Sequence, residues 1–233
     1  MIRSAVLLAA GEGSRLRGSA PSKPLCPVAG RPLIDHALTG LAAAGIERVV
    51  VTLGYAADRV LAYLSSRSWP VVVEHAIVDH RRPNGVSALA AAPLLAGDEA
   101  VLAMCDHLVT PDHYTRLARV GAQGGLTLGI DRRLGHRWVD PSDVTCVATE
   151  GDSIVAIGKE MAPHDCYDTG VFAVGSSFFA ALATLEAPSL TEGVRLLAAD
   201  GRARVVDCSD LDWIDVDDAP ALAHAEAWRS IVA

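Results

Sequence analysis

The sequence predicts an α/β sandwich with a mixed, mostly parallel sheet, and three observations predict it. A short, fully apolar run, "SAVLLAA" (4–10), leads straight into the glycine-rich turn "GEGSRLRG" (11–18). From there to about residue 107, apolar runs of strand length alternate with stretches whose apolar residues recur at helical spacing. Of the 233 residues 51% are hydrophobic but only 5% are aromatic. The core must therefore be built from Ala, Val and Leu, which suits helices laid on a buried sheet.

The elements follow in order. "SAVLLAA" reads as the first strand; the chain start resembles a signal peptide, but the apolar run is too short and enters the glycine loop at once. "LIDHALTGLAAAGI" (33–46) reads as a helix that ends at Gly45. "ERVVVTLGY" (47–55) is a second buried strand, "AADRVLAYLSSR" (56–67) a helix, and "WPVVVEHA" (69–76) a third strand. "NGVSALAAAPLLAG" (84–97) is a helix opened by a polar turn, and "AVLAMCDH" (100–107) a fourth strand with Asp106 at its end. In such an alternation the ligand sits at the carboxyl ends of the strands.

The pattern then changes. "GLTLGIDRR" (125–133), "DVTCVATEGDSIVAIGKE" (143–160) and "DTGVFAVGSSFFAALATL" (168–185) mix strands with turns, and "EGDS" (150–153) reads as a hairpin turn. "ARVVDCSDLDWIDVDD" (203–218) brings a last strand, with a helix from about Ala219. No repeat or Gly/Ser/Pro-rich linker interrupts the chain. The expectation is one domain, 1–233, with a first half of about 1–110 and a second of about 111–233.

The net charge is −8, and no basic block occurs. Nucleic-acid binding needs a basic footprint, so it is excluded as an expectation. An acidic protein that binds an anion must concentrate its few cations, and Arg15, Arg17 and Lys23 do so early in the chain. The five cysteines are widely spaced with no CxxC pair, which argues for reduced thiols in the cytoplasm. No apolar run has the length of a membrane span, so no membrane insertion is expected.

Three phosphate loops compete for the opening turn. A P-loop needs GxxxxGK[ST], which is absent. A dinucleotide loop needs GxGxxG, but Leu16 stands at the third glycine, and the second strand ends "TLGY" without an acid for a ribose. A triphosphate loop fits. Loop backbone NH groups can wrap phosphates, Arg15 can lie over them, and Lys23, beyond a proline-bounded turn, can clamp them from the far side. A lone arginine is ordinarily a solvated surface group; the joint occurrence after a buried strand favours the functional reading.

The stretch "LAAGEGSRLR" followed by "PSKPL" resembles the AAGxGxRL and PKPL signature of sugar-phosphate nucleotidyltransferases, MobA-like NTP transferases among them. The resemblance implies a Rossmann-like, glycosyltransferase-A-type three-layer α/β/α sandwich. It implies nucleotide contacts from Leu8, Ala10, Gly11, Glu12, Gly13, Ser14, Arg15 and Lys23. It also implies Mg²⁺ held by Asp106 at the end of the fourth strand. Relatives mostly carry Gly before that aspartate, where this chain has Cys105. Asp215, in "DWIDVDD", is the second metal ligand by resemblance and because alternation puts Trp213, Asp215 and Asp217 on one face. Capping the following helix falls to Asp217 or Asp218. His107 has the usual reading of a structural or solvated strand-end histidine. Asn84, Gly85 and Ser87, in "RPNGVSALAAA", are expected near the nucleoside, with Asp106 beside it.

"IGKEMAPHDCYDTGVF", "GIDRRLGHRWVDPSDVTCV" and "WIDVD" resemble most closely CTP:inositol-1-phosphate cytidylyltransferases, so the resemblance covers nearly the whole chain. It implies that Lys159 binds the acceptor's phosphate and Asp168 a ring hydroxyl, with Arg132, Arg133 and Glu192 as further acceptor contacts. The expected catalytic set is Arg15, Lys23 and Lys159. The expected partners are an NTP, CTP foremost, and a small phosphate monoester, inositol-1-phosphate foremost. The same chemistry with another NTP or acceptor, or a non-catalytic nucleotide-binding module, stays open at this point.

Overall fold

The computed structural model describes residues 1–18, 20–136 and 138–228. β1 (Ser4–Ala9) is buried along its whole length, as an apolar run must be when helices cover both faces of a sheet. Its side chains serve the two sides in turn: Ala5, Leu7 and Ala9 join one core, Val6 and Leu8 the other. A small ribbon of β2 (Pro27–Val28) and β3 (Arg31–Pro32) follows. Then come α1 (Leu33–Ala43), β4 (Arg48–Leu53), α2 (Ala57–Ser65), β5 (Val72–Ile77), α3 (Asn84–Leu95) and β6 (Ala100–Met104).

These strands lie in the order β5-β4-β1-β6 and are all parallel. The chain steps outward from β1 to β4 and β5, then crosses to the other side of β1. The strand order reverses at β1, which sets the crevice beside the carboxyl ends of β1 and β6. The glycine loop after β1 and Asp106 after β6 are its two lips. Helices α1 and α2 contribute Leu38, Leu41, Val60 and Leu64 to the core on one face; α3 contributes Ala88, Ala91 and Leu95 to the other.

The second half adds β7 (His107–Val109), α4 (Pro111–Val120), β8 (Leu126–Asp131), β9 (Thr145–Glu150), β10 (Ser153–Lys159) and β11 (Cys166–Val174). After these come α5 (Ser176–Ala183), α6 (Leu190–Ala199), β12 (Ala203–Asp207), β13 (Trp213–Asp215) and α7 (Ala219–Ala227). β11 lies antiparallel between β6 and β8, and β12 runs parallel to β8. β10 is antiparallel to β12 and β9, and β9 returns to pair with Cys166 and Tyr167 at the start of β11. Parallel pairing thus dominates the first half only. The reason is local: β9 and β10 are joined by Gly151 and Asp152 alone, with Gly151 at φ 58°, and so short a turn can only join antiparallel strands.

α4 packs Tyr114 and Leu117 with α1 and α2, while α5 and α6 pack Phe178, Leu182 and Val194 with α3. The result is the expected three-layer sandwich. The fourth strand is shorter than its apolar pattern. It stops at Met104, and His107 begins a separate two-stranded ribbon, β7 with β13. Among the described residues no helix is long and apolar enough to cross a membrane, and all five cysteines are buried free thiols.

His113 in α4 is fully buried and meets Thr110 Oγ1 through Nδ1 at 3.2 Å. Burial, aided by the charge of Arg116, holds its imidazole down to about 4. An unfolded histidine titrates near about 6.5. Between those values the unfolded chain binds more protons, so stability rises with pH across the window. Urea titrations should show the unfolding free energy falling by about 3 kcal/mol from this group as pH drops through that window. His113→Asn should flatten the slope; an unchanged slope would assign acid sensitivity to other groups.

Candidate active site

The glycine loop is shaped around a lysine. Gly13 sits at φ +58°, and a Cβ there would fall 2.4 Å from Lys23 Cβ, so only glycine lets the loop close over that side chain. Leu16, 2% exposed, anchors the short 3-10 turn that presents Arg15. Lys23 begins a second 3-10 turn and is only 8% exposed. A buried ammonium must be paired. Its Nζ donates to Asp106 Oδ2 and Asp217 Oδ1. Burial works against its charge, but Asp106, Asp215 and Asp217 outweigh burial and raise its pKa.

The β7–β13 ribbon builds the acidic lip. Its register sets Asp215 opposite His107, next in sequence to Asp106. One oxygen atom of each carboxylate, Asp106 Oδ1 and Asp215 Oδ1, is buried without a hydrogen-bond partner. Asp106, His107 and Asp215 each offer a ligand atom within 4.8 Å of the others. Two orphaned carboxylate oxygens are the hard donors a divalent cation takes, so these residues fit the ion that the sequence implies. Burial opposes a charged His107, yet Asp215 and Asp106 push its imidazole up to about 10.

Trp213 braces this lip. Its ring stacks on His107 with centroids 5.9 Å apart, and its Nε1 donates to Asp131 Oδ2 at 2.9 Å. Asp131 is fully buried and also accepts from Arg133. Cys105, in place of the glycine usual before this aspartate, adopts no left-handed backbone and donates its NH to Leu8 O at 3.0 Å. The position therefore needs a small residue rather than a glycine.

A line of alternating charges crosses the cavity from this lip. Asp217 Oδ2 accepts from Arg15 at 2.6 Å, Arg15 also donates to Asp143 Oδ2 at 2.9 Å, and Asp143 Oδ1 accepts from Lys159. The hydrogen bond from Lys159 is the chief cause holding the Asp143 carboxyl well below the usual range. Arg15, Asn84, Asp106, Lys159, Asp168 and Asp215 all line one cavity. Asp168 reaches it from an irregularity in β11, where Gly170 N donates to Asp168 Oδ1 at 2.7 Å. Burial pushes that carboxyl up to about 6.

Other expected residues are committed elsewhere. Leu8 and Ala10 are buried at the end of β1, and Glu12 pairs with Arg17. Asn84 lines the cavity but spends Oδ1 on Leu190 N at 2.9 Å. Gly85 is pressed against the chain instead, since a Cβ there would lie 2.5 Å from Pro188 O. Ser87 is buried within α3. Arg132 turns to Asp165, Arg133 to Asp131 and Asp212, and Glu192 closes a capping box with Ser189 at the start of α6. Those three charged side chains already have partners, and they do not line the cavity.

The sequence reading missed Asp217 and Asp143. Asp217 carried a signal, the alternation it shares with Asp215. Asp218 is the helix cap, its Oδ1 accepting from Ala221 N at 2.8 Å, which frees Asp217 for Lys23 and Arg15. Asp143 lies in the loop between β8 and β9, where no periodicity marks it.

Residues 5–186 match the family model of the MobA-like NTP transferase domain. The bifunctional IPC transferase and DIPP synthase of Rubrobacter xylanophilus is 35% identical, over 95% of this chain and 51% of the relative. The protein of that name from Aquifex aeolicus is 31% identical, over 93% and 49%. The bifunctional protein GlmU of Rhodospirillum rubrum is 30% identical, over 96% and 52%. The chain thus spans about half the length of these curated relatives. Among solved structures, the inositol-1-phosphate CTP transferase from T. maritima aligns with a TM-score of 0.83 at 22% identity, over 97% of this chain and 95% of its own. A UDP-glucose pyrophosphorylase complexed with UDP-glucose aligns with a TM-score of 0.82 at 16% identity, over 97% and 98%. At such identities both speak for the fold.

Lys23 is the buried cation that pairs with both Asp106 and Asp217. Lys23→Met should lower the unfolding free energy by about 3 kcal/mol at neutral pH, the cost of breaking a buried pair. Adding a divalent cation should restore part of it, because the ion then neutralises Asp106 and Asp215. Urea titrations with and without MgCl₂ or MnCl₂ check this; unchanged stability would show that the lysine is dispensable to the fold.

Proposed function

The chain belongs to the MobA-like NTP transferase family, and from that premise we propose that it joins CTP to a phosphate monoester, foremost inositol-1-phosphate, giving CDP-inositol and pyrophosphate. The observation that carries the reading is the charged line from Asp106 through Lys23, Asp217, Arg15 and Asp143 to Lys159. It sets cations from both halves of the chain along one cavity, which is what bringing two phosphates together requires.

Arg15 and Lys23 take the triphosphate of the NTP, and Lys159 takes the phosphate of the acceptor. Asp143 gives up Arg15 and Lys159 to these anions as they arrive. Asp106 and Asp215 would hold a divalent ion, which would supply positive charge to offset that of the phosphates. An acceptor phosphate oxygen attacks the α-phosphorus in line. The new P–O bond forms as the bond from that phosphorus to the bridging oxygen breaks, and pyrophosphate leaves with the electron pair. A phosphate monoester is already ionised near neutral pH, so no general base is needed. The protein's part is positioning and charge neutralisation. Asp168 faces the acceptor's hydroxyls, and Asn84 stands on the nucleotide side. Gly85, Ser87, Arg132 and Glu192 drop out of this reading because packing, an ion pair and a helix cap already occupy them.

The names of the Rubrobacter and Aquifex relatives and of the T. maritima enzyme support CTP and an inositol phosphate. The likeness to a UDP-glucose pyrophosphorylase favours a second reading, the same chemistry with another NTP or a sugar-1-phosphate. Pyrophosphate release, crossing four NTPs with inositol-1-phosphate and glucose-1-phosphate, separates the two. Release with CTP and inositol-1-phosphate alone is the expected result; release with another pair would replace the substrates and keep the chemistry.

Two variants test the roles. Asp106→Ala should cut kcat by roughly a thousandfold with an unchanged circular dichroism spectrum; wild-type turnover would remove Asp106 from the site. Lys159→Ala should raise KM for the acceptor by roughly tenfold or more while leaving KM for the NTP nearly unchanged. Equal effects on both substrates would place Lys159 outside the acceptor's contacts.

A further inference from the structure

We infer that His107 Nε2 is a third protein ligand of the divalent ion held by Asp106 and Asp215, and that this nitrogen makes the site prefer first-row transition ions such as Mn²⁺ and Co²⁺ over Mg²⁺. The inference rests on the nucleotidyltransferase reading only in taking those two aspartates as ion ligands.

The first support is the hydrogen bond on the other ring nitrogen. His107 Nδ1 meets the backbone carbonyl of Thr169 at 2.9 Å. A carbonyl oxygen can only accept, so Nδ1 keeps its hydrogen, and Nε2, which faces Asp215, is the nitrogen that exchanges its proton for a metal. This is the usual outer partner of a metal-binding histidine: it fixes the tautomer and the ring's direction and raises the basicity of the ligating nitrogen.

The second support is position. The ribbon register puts His107 opposite Asp215, and its Nε2 lies 3.4 Å from Asp215 Oδ2. A direct charge-assisted hydrogen bond is shorter, about 2.7–2.9 Å. Two ligands of one ion stand farther apart than that, because each is about 2.0–2.2 Å from the metal. The mutual spacing of the three donor atoms, all within 4.8 Å, suits a shared ion. Asp106 Oδ1 and Asp215 Oδ1, buried and without partners, face the same need.

The third support is rigidity. Trp213 stacks on one face of the imidazole, with 11° between the ring planes. Thr169 and Gly170 hold its edge. A Cβ on Gly170 would lie 2.2 Å from His107 Nδ1, and Gly170 sits at φ +78°. The irregularity of β11 at this point therefore opens room for one ring in one orientation. A histidine that merely filled a strand end would need neither the carbonyl nor the glycine.

The consequence for the ion follows from donor chemistry. Mg²⁺ is bound through oxygen and gains little from an imidazole. For first-row transition ions a nitrogen donor adds affinity, rising from Mn²⁺ toward Co²⁺ and Ni²⁺.

Pulsed EPR of the protein loaded with Mn²⁺ alone, and again with CTP, tests the inference directly. Wild type should show the modulation of a directly bound ¹⁴N nucleus, and His107→Gln should lose it. In competition titrations Mn²⁺ should bind wild type at least about tenfold more tightly than Mg²⁺, and the gap should narrow by about tenfold in His107→Gln, the usual scale for a metal-site partner. Mn²⁺ bound without a ¹⁴N signal would overturn the inference and leave the aspartates as ligands; His107 would then be a neighbour that positions Asp215. A signal that persists in His107→Gln would assign the nitrogen to another histidine and overturn it as well. Failure of Mn²⁺ to bind in either condition would overturn both the inference and the ion-binding role of Asp106 and Asp215. The wild-type measurement stands even if the variant folds poorly.

Discussion

Burying one ammonium fixes the geometry of this site. Lys23 is 8% exposed, and a charge so far from water persists only with counter-charges at hand. Those charges come from the turn after β6 and from the segment between β13 and α7. The two are more than a hundred residues apart, and both must converge on a lysine held under the glycine loop. Gly13 gives the loop the left-handed turn and the missing Cβ that make the burial possible. Pairing Lys23 therefore brings together the glycine loop, the acidic lip and the final helix. It is also why the topological crevice between β1 and β6 becomes a charged site rather than an apolar groove.

The rest of the line lies nearer water, the side chains of Arg15 and Lys159 being more than half exposed. Without phosphates the cations do not stand free; each is answered by an aspartate. Asp217 serves Lys23 and Arg15, and Asp143 serves Arg15 and Lys159. An incoming phosphate oxygen presents the same acceptor chemistry as a carboxylate. Under the proposed function it replaces Asp143 at Arg15 and Lys159, and the exposure of those two side chains keeps the exchange cheap. Asp143 is the member placed to yield, because it sits on a loop, whereas Asp106 and Asp215 are fixed by strand ends. A site built this way trades some binding energy, spent displacing carboxylates, for cations that are already in position.

How much of this was legible in the sequence depended on the range of the signal. Apolar runs flanked by turn residues marked β1, β4, β5 and β6 and the helices between them; burial on both faces leaves that trace in β1, β4 and β6, while β5 is a largely exposed edge strand. Lys23 and Asp106 could be read because a glycine loop and a strand end have local patterns too. Asp217 was partly legible: alternation put it beside Asp215, but the demand for a helix cap competed for it, and only the fold shows that Asp218 meets that demand. Arg132, Arg133 and Glu192 misled for the opposite reason. Their charge invited an acceptor role, while Asp165, Asp131 and the capping box lie where sequence spacing cannot show them. Asp143 left no trace at all, since a loop aspartate earns its role only from what folds around it.

The break after Met104 shows why the acidic lip was harder to read than the glycine loop. The apolar pattern invites the fourth strand to run on through His107. Had it done so, Asp106 and His107 would point to opposite faces of the sheet, because successive strand residues alternate. Ending the strand three residues early turns the chain, and the new pairing of β7 with β13 brings His107, Asp106 and Asp215 to one side. Trp213 then ties the ribbon back to the sheet through Asp131, at the end of β8. The lip is thus held from both halves of the chain. Its geometry comes from a long-range pairing between residues 107–109 and 213–215, which outweighs the local preference to continue the strand.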